Sequence, residues 1–132
     1  MKSVTQAVIL AGGLGMRLRP LTLTTPKPMI PFLGKPFLQY LIELLKANGI
    51  REVLLLVGHL HQQIEEYFGD GSKFGVTITY SYCPSEAKTG TRIRVAMPLL
   101  QQKFLLLYGD NYWPLRLIEL TQFYESMAAK AL

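Results

Sequence analysis

Four short apolar runs along the chain set the first expectation about the fold. Three of these runs are rich in apolar side chains: approximately Thr5–Leu10, then Glu52–Val57 and Phe104–Tyr108. The fourth, Val76–Tyr82, alternates between apolar and polar positions. Continuous apolar runs of this length are typical of strands covered on both faces, as in a parallel sheet. The pattern therefore predicts four β-strands, with the continuous runs buried.

Between these runs the apolar residues recur with the period of a helix. A helical face begins at Phe37 and is expected to end at Asn48-Gly49. Gln62–Phe68 is predicted to be a short helix, and Arg92–Leu100 a weaker one because Pro98 interrupts it. One apolar face predicts a final helix: Leu117, Leu120, Tyr124, Met127 and Ala128.

The alternation of strands and helices predicts an α/β fold. Such an order favours a Rossmann-like, three-layer α/β/α domain with a mainly parallel sheet and right-handed crossovers. In the doubly wound arrangement the strand order is 3-2-1-4, and a crevice opens where strands 1 and 4 end. Glycines follow strand 1 and Asp110 follows strand 4. We therefore expect a glycine loop and a carboxylate on opposite sides of one cleft.

Composition narrows the class of protein. The 132 residues are expected to form one domain, with 49% hydrophobic and 17% charged residues. The net charge of +5 comes from scattered basic residues without interleaved aromatics, which favours a small anionic ligand over nucleic acid. No apolar run approaches the roughly 18 residues of a membrane span, so no membrane partner is expected. The lone Cys83 fits a reducing cytoplasm.

The segment from Ala11 to Pro36 carries the candidate chemistry. It contains Gly12, Gly13 and Gly15, two cations (Arg17 and Lys27) and five prolines, which predicts a long ordered loop. Glycine-rich turns expose backbone N–H groups to phosphate, and the cations add donors and charge. The dinucleotide fingerprint is excluded by Leu18, and a P-loop by Pro36 after Gly34-Lys35. The loop is predicted to bind a polyphosphate.

The full spacing of this loop is more restrictive. From Gly12 it reads Gly-Gly-x-Gly-x-Arg-Leu-x-Pro-Leu-Thr, and Pro-Lys-Pro-Met follows from Pro26. It resembles the sugar-1-phosphate nucleotidyltransferases, the NDP-sugar pyrophosphorylases, and corresponds to their N-terminal, nucleotide-binding half. The resemblance implies Mg²⁺-dependent transfer of a nucleotidyl group from an NTP to a sugar 1-phosphate, with release of pyrophosphate.

The resemblance also implies roles for single residues. Arg17 would hold the departing pyrophosphate, and Lys27 would neutralise the phosphoryl group under attack. Asp110, whose hard oxygen atoms suit Mg²⁺, would bind the metal; an ordinary Gly-Asp-Asn turn is its alternative. Cys83 falls where relatives often carry a residue that reads the base, and a thiol is a poor donor and acceptor. The remaining nucleotide-binding positions are Leu10, Ala11, Gly12, Gly13, Gly15, Gly90 and Thr91.

Several alternatives remain open from the sequence. The chain is either an enzyme or a non-catalytic nucleotide-binding or regulatory module of the same fold; an inactive fragment and a choline-phosphate cytidylyltransferase are further options. His59 and His61 are not expected to bind metal, because no cysteine or carboxylate stands beside them. Arg92 and Arg94 are expected to decorate a helix surface, with an anionic substrate group as the alternative. An unpaired edge at the fourth strand predicts self-association.

Overall fold

The fold is an α/β sandwich built around one parallel sheet. The computed structural model describes residues 4–112, 114 and 116–127. Its strands are β1 (Gln6–Ala11), β2 (Pro31–Phe32), β3 (Lys35–Pro36), β4 (Glu52–Val57), β5 (Thr77–Tyr82) and β6 (Leu105–Tyr108). Its helices are α1 (Leu21–Thr24), α2 (Phe37–Ala47), α3 (His61–Phe68), α4 (Thr89–Ala96) and α5 (Leu117–Ser126).

The sheet has the strand order β5-β4-β1-β6, and all of its pairs are parallel. β1 lies in the interior, where Ile9 pairs with Leu55 on one side and with Leu107 on the other. The predicted 3-2-1-4 order is therefore confirmed. A separate antiparallel pair, β2 with β3, forms a small hairpin away from this sheet.

Apolar cores cover both faces of the sheet. On one face, α2 presents Leu38, Leu41, Ile42 and Leu45, a helical spacing that places four fully buried side chains against the strands. α3 and the start of α5 join the same core. On the other face, Ala96 of α4 packs with residues of β1 and β4. Among the described residues, no helix is long and apolar enough to cross a membrane.

Some predicted boundaries need correction. The helix expected at Arg92–Leu100 begins at Thr89 and ends at Ala96, because Pro98 lacks an N–H and the chain continues as a 3₁₀ turn, Met97–Leu99. The segment expected to be one long loop contains α1, the β2–β3 hairpin and 3₁₀ turns at Met16–Leu18 and Lys27–Met29. Ala128 of the predicted last helix lies outside the described residues.

Candidate functional site

A cavity of about 450 Å³ opens at the carboxyl ends of β1 and β6. The backbone N–H of Gly109 donates to the carbonyl of Leu10 at 2.8 Å, so the segments leaving the two strands are held side by side. The sequence predicted a cleft at this point, where adjacent strands lead to different parts of the chain. The lining comprises Leu10, Ala11, Gly12, Gly13, Gly15, Lys27, Pro28, Ser85, Ala87, Lys88, Thr89, Arg92, Tyr108, Gly109 and Asp110.

The glycine loop after β1 forms one wall of the cavity. Gly15 has a φ of 63°, a left-handed conformation that favours glycine. A side chain there would also meet Thr22, whose Cγ2 would lie 2.7 Å from the added Cβ. The hydroxyl of Thr22 donates to the carbonyl of Gly15 at 2.7 Å and is fully buried. The loop is thus shaped by its own downstream segment.

Lys27 and Asp110 meet across the cavity. The Lys27 Nζ atom lies 2.8 Å from the Asp110 Oδ2 atom, and the two side chains are 33% and 38% exposed. Lys27 sits in a 3₁₀ turn beside the buried Pro28, which holds its backbone in place. The structure therefore brings Lys27 into contact with the carboxylate that the sequence predicts opposite the glycine loop.

Asp110 is the carboxylate in the cavity lining. Mg²⁺ accepts one or two carboxylates and completes its shell with water and substrate phosphates, so a single exposed carboxylate at an open cavity fits this ion. Among the described residues there is no group of three or more His, Cys, Asp or Glu side chains that could hold a metal alone. The donor set fits a magnesium ion that takes its remaining ligands from water or a bound phosphate compound.

The opposite wall is formed by the segment between β5 and α4. Ser85, Ala87, Lys88 and Thr89 line the cavity there. Gly90 and Thr91, the positions expected to contact the nucleotide, lie in the exposed first turn of α4 and outside the lining. Sequence reasoning gave Lys88 no role, because an isolated lysine in a loop carries no periodic signal.

The expectation that both arginines of α4 lie on the surface is wrong for Arg92. Its side chain is only 5% exposed, whereas Arg94 is exposed. The guanidinium donates to four backbone carbonyls and lines the cavity. A signal was present in the sequence, since Arg92 stands four residues before the buried Ala96 and so shares its helical face.

The remaining candidates lie away from the cavity lining. Arg17 is exposed in the 3₁₀ turn that follows Gly15. Cys83 is a buried free thiol, as expected for a small apolar filler. His59 contacts the carbonyl of Thr22 through Nε2 at 2.6 Å, and His61 pairs with a glutamate on its own helix.

Known proteins resemble this chain in both sequence and fold. A family model described as Nucleotidyl transferase matches residues 6–132. The chain is 39% identical over 115 residues to D-glycero-alpha-D-manno-heptose 1-phosphate guanylyltransferase of Campylobacter jejuni, covering 87% of this chain and 52% of that protein. It is 52% identical over 77 residues to UTP–glucose-1-phosphate uridylyltransferase of Synechocystis, covering 58% of this chain and 20% of the relative.

Solved structures agree. HddC from Yersinia pseudotuberculosis, in complex with GMP-PN, matches with a TM-score of 0.81 and 29% identity, over 92% of this chain and 54% of that one. The chain therefore spans about half of two of these proteins and a fifth of the third. The resemblance to half of a sugar-1-phosphate nucleotidyltransferase is confirmed, and the chain belongs to the nucleotidyl transferase family.

Proposed function

We propose that the cavity binds a nucleoside triphosphate and supports transfer of its nucleotidyl group to a sugar 1-phosphate. The observation that carries this proposal is the Lys27–Asp110 pair at a cavity walled by the glycine loop. A phosphate chain needs N–H donors, cationic charge and an oxygen ligand for its metal, and the glycine loop, Lys27 and Asp110 that could supply them all line this cavity. The family relationship supplies the class of reaction.

The residues have distinct roles in this reaction. The sugar phosphate oxygen attacks the α-phosphorus in line, a new P–O bond forms, and the bond to the bridging oxygen breaks to release pyrophosphate. Lys27 offsets the charge on the attacked phosphoryl group, while Arg17 binds the departing pyrophosphate. The N–H groups of the glycine loop orient the triphosphate. Bound Mg²⁺, held by Asp110 and the phosphates, would supply further charge neutralisation. Such catalysis rests on positioning and electrostatics, without a protein nucleophile.

Fewer structural observations support the role of Arg17 than that of Lys27. The Arg17 side chain is exposed and lies outside the cavity lining, but its backbone follows Gly15 directly in the 3₁₀ turn Met16–Leu18. A long, permanently charged side chain at this point can reach a phosphate that protrudes from the cavity. Its role is therefore to bind the outer end of the triphosphate, where the leaving group departs. Gly90 and Thr91, in the first turn of α4, are also proposed to contact the nucleotide, from outside the cavity lining.

The proposal is tested by pyrophosphate release. The chain is incubated with Mg²⁺, each of five NTPs (ATP, CTP, GTP, UTP and dTTP) and a set of sugar 1-phosphates. R17A and K27A should each lose most of the activity, and the matched control R94A should keep it. Full activity in both R17A and K27A would reject the assignment.

A second candidate is a nucleotide-binding module without turnover. It is favoured by one observation, that the chain spans about half of two relatives and a fifth of a third. A thermal-shift series of NTPs with and without Mg²⁺ separates the two, because a ligand that binds the folded state raises its melting temperature. Stabilisation by an NTP without pyrophosphate release identifies the module. For both candidate functions we propose a cytoplasmic location, in keeping with the single free cysteine.

Self-association is part of the proposal. In the described part of the chain, β6 pairs with β1 on one side and occupies the end of the sheet. Its Leu106 and Tyr108 are 40% and 55% exposed, and Ile118 and Phe123 of α5 are also exposed. An apolar strand at a sheet edge offers unpaired N–H and C=O groups to another chain. A second copy of this protein is the proposed partner.

A further inference from the structure

The side chain of Arg92 joins the two walls of the cavity. Its Nη2 atom donates to the carbonyl of Gly12 in the glycine loop at 3.1 Å. The same atom donates to the carbonyls of Pro84 and Ser85 in the opposite wall at 3.0 and 3.2 Å, and Nε donates to that of Ala87 at 3.1 Å. One buried guanidinium therefore fixes the distance between two segments that are 70 or more residues apart in sequence.

The chemistry of this contact is unusual for a purely structural residue. Every hydrogen-bond partner of Arg92 found in the described part of the chain is a backbone carbonyl, so its charge has no carboxylate beside it. Its Nη1 atom is buried and has no partner. Burying a cation that lacks a counter-charge and a full set of acceptors lowers stability. The benefit that offsets this cost is the set of four carbonyls, in both walls of the cavity, that would lose their donor without the guanidinium.

The absence of a side chain at Gly12 makes room for this guanidinium. A Cβ atom there would overlap Nη1 and would lie 2.8 Å from Cζ of Arg92. A Cβ at Gly58 would lie 3.2 Å from the same Nη1. Arg92 thus occupies space that two glycines leave open, which ties its position to the first glycine of the phosphate-binding motif.

We propose that Arg92 is a positioning residue for the nucleotide: it holds the glycine loop and segment 84–88 at the separation that an NTP requires. The proposal rests on the proposed function, since it assumes that an NTP enters this cavity. Arg92 acts through the walls, because its guanidinium is bound to their carbonyls. Without it, the walls would adopt the binding separation only part of the time, and the apparent dissociation constant would rise by the inverse of that fraction.

The test measures NTP affinity by titration calorimetry at a temperature where all variants are folded. R92M keeps the length and the packing of the side chain but removes its donors. R94M is the matched control, because Arg94 is exposed on the same helix. If the walls of R92M are correctly spaced about a tenth of the time, its NTP dissociation constant rises about tenfold, whereas that of R94M is unchanged.

The outcomes are separable. If the unaltered chain binds none of the five NTPs, the proposed function fails, whatever Arg92 does. If it binds an NTP and R92M binds as tightly, or R94M loses as much, the positioning role of Arg92 is rejected. If R92M does not fold, R92K replaces it, since its ammonium keeps the charge but has fewer donors and a shorter reach. Wild-type affinity in R92K would then overturn the proposal.

Two further readouts distinguish positioning from general stability. Amide hydrogen exchange in R92M should rise in residues 85–88 while β4 stays protected; uniform loss of protection would contradict the proposal. G12A and R92A should also be coupled, because R92A vacates the space that the methyl group of G12A needs. The urea midpoint of the double variant should fall by less than the sum of the two single shifts. Additive shifts would contradict the packing that the proposal assumes.

Discussion

Replacing Lys27 with Met separates a functional role of the Lys27–Asp110 pair from a structural one. The substitution keeps the length of the side chain and removes its charge, so the contact at 2.8 Å is lost. The protein offers a matched control in Lys35, whose Nζ lies 2.9 Å from Oε1 of Glu43. That pair joins the β2–β3 hairpin to α2, outside the cavity lining. K27M and K35M therefore each break a lysine–carboxylate ion pair, and K35M also removes the contact of Lys35 with the Tyr40 ring.

The structural cost of K27M is small. Two unit charges 2.8 Å apart attract by about 1.5 kcal/mol at the dielectric constant of water. Both side chains are about one third exposed, so salt and lost side-chain entropy reduce this to about 0.2–1 kcal/mol. The free energy of unfolding, measured in urea, should fall by that amount in K27M. In K35M the loss also includes the second Glu43 oxygen and the Tyr40 ring, so its stability should fall at least as far as that of K27M.

The functional cost of K27M should be far larger. Removing one preorganised charge from a transition state typically costs about 10²–10³ in rate, or about 3–4 kcal/mol. A stability loss of about 1 kcal/mol leaves a typical domain almost entirely folded, so it explains none of that decrease. Pyrophosphate release should therefore collapse in K27M and persist in K35M. Near-wild-type release in K27M, or an equal loss in K35M, would refute the assignment of Lys27 to the phosphate.

Three further predictions concern the fold and its surface. Burial, with the charges of Glu65 and Asp70, raises the pKa of Tyr80 to about 12, so the folded state prefers the neutral phenol. Stability should then fall as the pH rises from about 10 to about 12, and Y80F should remove that part of the slope in urea unfolding. L55A, at a fully buried position of β4, should lower the free energy of unfolding by about 2–5 kcal/mol in the same assay. L106K should weaken self-association in light scattering over a concentration series, and a monomeric wild-type chain at all concentrations would contradict that proposal.

Much of the fold follows from local pattern. The strand at Glu52–Val57 was predicted with its observed bounds, because a short, continuous apolar run between turn residues is typical of a buried strand. The sheet order then placed the glycine loop and Asp110 at one cleft by a topological rule that needs no side-chain detail, and the structure adds Lys27 to that cleft. The β2–β3 hairpin was missed, since two-residue strands carry no periodicity. The start of α4 was missed because its first turn is polar and exposed.

Arg92 shows where prediction from sequence stops. The helical spacing of Arg92 to Ala96 favours a buried position, whereas the charge of its guanidinium favours an exposed one. What decides for burial is the carbonyl of Gly12, 80 residues away, together with acceptors in the loop before α4. No local pattern encodes the Gly12 acceptor, because it comes within reach of Arg92 only once β1, β4 and β5 are paired. Gly12 therefore leaves room for a guanidinium, and the proposed contact of its N–H with a phosphate is a second, separate demand on that position; the urea midpoints of G12A, R92A and the double variant measure the first demand alone.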